Sequence, residues 1–115
     1  MTTEFNEDDL IKLFPNQPIN MHDDASCEYF CIREDSQGFS LIMYFSAYEE
    51  VMSLSLYYGE HETKVLEMDL KNITEAREQD GKLVIKQEGN HNKLIIHLEP
   101  AIWIFLGEEE RLLDI

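Results

Sequence analysis

The chain has 115 residues, 43% of them hydrophobic, and a formal net charge of −15 from 24 acids against nine bases. That length suits a single domain, 1–115, with a real buried core. No run of 18 apolar residues is present to span a membrane, and the acidic start MTTEFNEDDL lacks the apolar centre of a secretion signal. The charge repels nucleic acid and anionic lipid at long range, so neither is expected as a partner. It attracts basic proteins instead, and can speed their association by about 10- to 1,000-fold at low salt.

Asn6 can cap a short helix. Glu7, Asp8 and Asp9 sit where the helix dipole favours acids, and Leu10, Leu13 and Phe14 form its apolar stripe. Pro15 stops it, and Pro18 keeps the next segment extended. The pattern then changes to period two. SCEYFCIRE, 26–34, reads as a strand, and DSQG, 35–38, as a turn. FSLIMYFSAY, 39–48, is apolar on both faces and reads as a central strand. In VMSLSLYY, 51–58, Met52, Leu54, Leu56 and Tyr58 share one face while Ser53 and Ser55 point away. After the polar turn GEHE, TKVLEMDLKNI, 63–73, alternates as a half-buried strand. Residues 74–78 either continue it or turn briefly helical.

QDGK, 79–82, is an Asp-Gly hairpin signal. It opens KLVIKQE, with Leu83 and Ile85 inward. GNHN, 89–92, turns into KLIIHLE, with Leu94, Ile96 and Leu98 inward. Pro100 breaks that strand, AIWIFL, 101–106, makes another, and a short acidic tail follows. About seven strands joined by hairpins predict a mainly β fold: an antiparallel β-sandwich or one strongly curved sheet, with a short N-terminal helix.

The stretch NMHDDASCEYFC, 20–31, gathers His22, Asp23, Asp24, Cys27, Glu28 and Cys31. On a strand the two Cys stand about 13 Å apart, whereas a disulfide needs roughly 4.4–6.8 Å. The compact pairs of a zinc site are absent, so the Cys read as small apolar packing residues. His22 and Asp23 then fix the bend into the strand through side-chain to backbone bonds. There is no GxSxG and no Gly-rich phosphate loop, so no catalytic residue, metal or cofactor is expected. With two Cys and no signal, the expected compartment is the cytoplasm. Lys82, Lys86 and Lys93 read as a thin solvated stripe.

What remains is a protein surface. Tyr44, Tyr48, Tyr57 and Tyr58 lie close to Glu49, Glu50, Glu60 and Glu62. Aromatic area among acids suits recognition of a basic protein. Tyr44 and Tyr58 read equally well as core.

The order PINMHDDASCEYFCIRED, a long apolar strand, MDLKNI with an Asn at its end, and a hairpin closing on a Gly/Asn turn resembles bacterial polymorphic-toxin immunity proteins, of the kind grouped as immunity protein family 50. The shared motif is His22-Asp23; the family pattern places Ala next, and here Asp24 intervenes. The resemblance implies a small β-rich cytosolic inhibitor that binds a cognate toxin, with nucleases among the toxins such proteins meet. An acidic inhibitor could fill a nuclease's phosphate cleft. The expected contact is an acidic face drawn from Asp23, Asp24, Tyr48, Glu49, Glu50, Tyr57, Glu60 and Glu62, on a monomer kept apart by its charge. A phage-type nucleic-acid mimic and an acidic assembly subunit are the other classes that fit.

Overall fold

The Asn6 side chain accepts the Asp8 amide at 2.9 Å and opens helix α1, Glu7–Leu13. A computed structural model describes residues 3–14, 19–20, 28–60, 63–89, 93–99 and 101–107. Leu10, Leu13 and Phe14 are all buried, as their spacing predicts. His22, Asp23, Asp24, Cys27, His61, Glu62, His91 and the tail from residue 108 lie outside the described residues.

Strands β1 (Ile19–Asn20), β2 (Glu28–Glu34), β3 (Phe39–Ser46), β4 (Val51–Tyr58) and β5 (Thr63–Leu70) form one antiparallel sheet in chain order. β6 (Ile73–Gln79), β7 (Lys82–Gln87), β8 (Lys93–His97) and β9 (Trp103–Gly107) form a second. The fold is therefore mainly β, with two separate sheets rather than one curved sheet. β3 takes the central place in its sheet that its two apolar faces suggest.

The pattern of 63–73 is that of one strand. Instead the chain leaves the first sheet after Leu70, turns at Asn72 with φ +56°, and begins the second sheet at Ile73. Asn tolerates this left-handed conformation because its short polar side chain adds little strain there. Residues 74–78 accordingly belong to a strand of the other sheet. The last strand starts at Trp103 rather than at residue 101.

Alternation sends Tyr29, Cys31, Leu41, Met43, Phe45, Met52 and Leu54 inward from the first sheet, and Ala76, Leu83, Ile85, Leu94 and Ile96 inward from the second. Both sets join α1 in one hydrophobic cluster. Three ties hold the sheets in register. Thr3 donates its amide to Ala47 O at 2.9 Å and its hydroxyl to Ile73 O at 2.6 Å. Phe5 sits edge-on to Tyr29 and Phe45 at 5.6 and 5.2 Å. Arg33 donates to Leu13 O at the end of α1 and pairs with Glu99 at 2.6 Å.

Candidate protein-interaction face

The other half of each strand points away from the core. On the first sheet the outward rows run Phe30–Tyr44–Ser53–Asp69, then Ile32–Ile42–Ser55–Glu67, then Glu34–Ser40–Tyr57–Lys64. Phe30, Ile32, Ile42, Tyr44 and Tyr57 make an apolar and aromatic band, with Ile32 39% exposed. Serines form a low floor beside it, and Glu28, Glu34, Glu67 and Asp69 form the rim. Tyr44 donates its hydroxyl to Glu28 at 2.6 Å, and Ser53 donates to Asp69 at 2.8 Å. Lys64 is held by Glu67 at 3.4 Å and lies 5.8 Å from the Tyr57 ring centre.

The bond to Glu28, partial burial and the nearby charges of Glu28 and Glu49 push the Tyr44 phenol up to about 12. Glu28 and Tyr44 therefore hold one another in place across two strands at neutral pH. The rim carboxylates offer fixed acceptors, and the aromatic band offers contact area. Such a face can seat basic side chains around an apolar centre.

The expected residues fall unevenly on this face. Tyr57 belongs to it. Tyr48, Glu49 and Glu50 form the turn between β3 and β4, with Tyr48 70% exposed. Glu60 lies in the turn at the far end of β4. The eight residues of β4 separate the two turns by roughly 23 Å. The geometry does not gather Glu49, Glu50 and Glu60 into one patch. Glu28, Glu34, Glu67 and Asp69, which the sequence reading passed over, supply the rim. Their place on the polar phase of each strand is a usable signal, but only the register brings them together. Tyr44 is half-buried on the outer face, and Tyr58 is 48% exposed against Phe39.

The second sheet has the opposite character. Its outward rows are Glu75–Lys86–Lys93, then Arg77–Val84–Ile95–Phe105, then Gln79–Lys82–His97–Trp103. The lysine stripe is real and includes Arg77. Val84 and Ile95, in the middle row, are buried. His97 stacks flat on Trp103 at 3.7 Å. The acids of the first sheet and the bases of the second thus occupy different faces.

Among the described residues, no three His, Cys, Asp or Glu side chains are grouped to hold a metal. Cys31 is a buried free thiol that desolvation pushes up to about 12.

The fold has a solved counterpart. A chain of the contact-dependent growth inhibition toxin–immunity protein complex from Klebsiella pneumoniae 342 superposes with a TM-score of 0.75 at 18% identity. The match covers 93% of this chain and 98% of that one. At that identity the likeness is one of fold. No family model matches the sequence, and no curated protein matches it. No helix of the described residues is long and apolar enough to cross a membrane.

Proposed function

We propose that this protein is an immunity protein: a stoichiometric inhibitor, not an enzyme, that binds and blocks a cognate bacterial toxin. The likeness of fold to a chain from a toxin–immunity complex carries this reading. That complex holds both kinds of chain. Net charge favours the immunity role here, because −15 suits a protein that covers a cationic cleft rather than one that grips phosphates.

The outer face of the first sheet is the proposed contact. Its aromatic band would bury against the toxin while Glu28, Glu34, Glu67 and Asp69 meet Lys and Arg around it. Glu49 and Tyr48 would extend the contact at the end nearest Tyr44. A toxin that is a nuclease fits best, since its active site must already be basic. Fast capture matters for such a partner, and opposite charge raises the encounter rate. The protein acts in the cytoplasm as a monomer and uses neither nucleic acid nor a cofactor.

The decisive experiment pairs this protein with the toxin domain that this reading expects the neighbouring gene to encode. Co-expression should rescue growth, and the purified pair should form a one-to-one complex whose association slows steeply with salt. Failure to rescue, with both proteins folded and soluble, would reject the immunity role. Rescue with no salt dependence would reject the acidic face but not the role.

A further inference from the structure

Each sheet has two edges, and three of these four edges are defended. β1 is only two residues long. β5 carries Lys64, Glu67 and Asp69, and its pairing slips register at Leu56/Tyr57. β6 is covered by the N-terminal segment: Glu4 bridges Glu75 in parallel, donates its amide to Thr74 O at 2.9 Å and accepts the Ala76 amide at 3.0 Å. Shortness, charge, irregularity and cover are the usual protections against unwanted strand addition.

β9 shows none of them among the described residues. It is an edge strand with the sequence WIFLG, without charge or proline, and Leu106 is 55% exposed. The surface beside it is specific. Lys93 on β8 lies in register with Gly107, so no β9 side chain stands between Lys93 and the sheet edge, which no described residue covers. On its other side Lys93 faces Lys86, which Glu75 holds at 3.4 Å. Among the described residues, no carboxylate holds Lys93.

We propose that β9 accepts an added strand from a protein partner, an apolar strand carrying one carboxylate that lies over Gly107 and pairs with Lys93. The added backbone would satisfy the outward amides and carbonyls of β9. Its apolar side chains would cover Ile104 and Leu106 on one side and the Trp103–Phe105 row on the other. A second copy of this chain is a poor occupant, because two bodies of charge −15 repel. This site lies on the second sheet, away from the acidic face, and does not require the partner to be a toxin.

The test uses the intact protein and two capped peptides, Glu-Val-Thr-Val-Thr-Val and the same with Lys for Glu. The readouts are amide exchange of β9 and the fluorescence of Trp103, the chain's single tryptophan. At about twice its dissociation constant, the Glu peptide should slow β9 exchange about threefold through mass action and shift Trp103 emission. The Lys peptide should bind more weakly, and Lys93→Glu should reverse that order. Lys93 lies outside the core cluster, so this variant keeps the fold. Unchanged β9 exchange at millimolar Glu peptide would overturn the proposal. So would equal binding of both peptides, or concentration-dependent protection of β9 without peptide, which would make a second copy the occupant.

Discussion

The carboxylate of Asp35 accepts the amide of Ile102 at 2.8 Å, tying the β2–β3 turn of one sheet to the entry of β9 in the other. Its second oxygen accepts the amides of Gln37 and Phe39, each at 2.9 Å. Desolvation opposes the charge, but amide bonds from Ile102, Phe39, Gln37 and Gly38 outweigh it and lower the Asp35 carboxyl below its usual range. Because the folded value is depressed, the stabilisation is complete above the unfolded carboxyl value of about 3.9 and fades as pH falls through the folded value. Asp35→Ala should cost about 1–3 kcal/mol near neutral pH by leaving these amides without their acceptor. Urea unfolding should show that gap narrowing as pH falls below the unfolded carboxyl value.

The acidic face makes a positional prediction. Replacing Glu28, Glu67 and Asp69 together by Lys should slow association with the toxin domain by about 10- to 100-fold at low salt and flatten its salt dependence. Glu60→Lys, at the far turn, should do much less. Stopped-flow rates at two ionic strengths separate the variants. Equal effects would move the contact away from the sheet face.

Cys31 should be inert in the native protein. Its thiol is buried and pushed up to about 12, so almost no thiolate exists at neutral pH. In a Cys27→Ser background, a thiol reagent at pH 8 should label Cys31 only at the rate of unfolding, and fully in denaturant. Rapid native labelling would show that the core opens around β2.

Helix α1 should matter through its packing more than its cap. Leu10→Ala removes a side chain that is only 2% exposed and should cost about 2–5 kcal/mol. Asn6→Ala loses one bond to the Asp8 amide and should cost about 0.5–2 kcal/mol. Chemical denaturation of both variants should rank them in that order.

Much of the architecture is legible in the sequence. The cap at Asn6, the helix stripe, the Asp80-Gly81 hairpin and the central place of β3 all follow from local rules. The turn at Asn72 was not legible. MDLKNITEA keeps a plausible strand pattern through it, and the turn appears as one left-handed residue that Asn accepts at little cost. The candidate face was half legible. Glu67 and Asp69 stand on the polar phase of their strand, yet Phe30 and Ile42 occupy the same phase of theirs and read as core.

Sequence alone determined the charge, the strand period and, on strands with one polar face such as β7 and β8, which residues turn inward, because these depend on composition and on neighbours two to four positions apart. Tertiary structure decided which acids share a face, that Arg77 shares the outer face with the lysine stripe, and that β9 ends the strand order of the second sheet. Those outcomes depend on strand order and register, which bring together residues such as Phe30 and Asp69, or Asp35 and Ile102, from distant parts of the chain. No local pattern carries that information, since register is fixed by the packing of both inner faces against a common core.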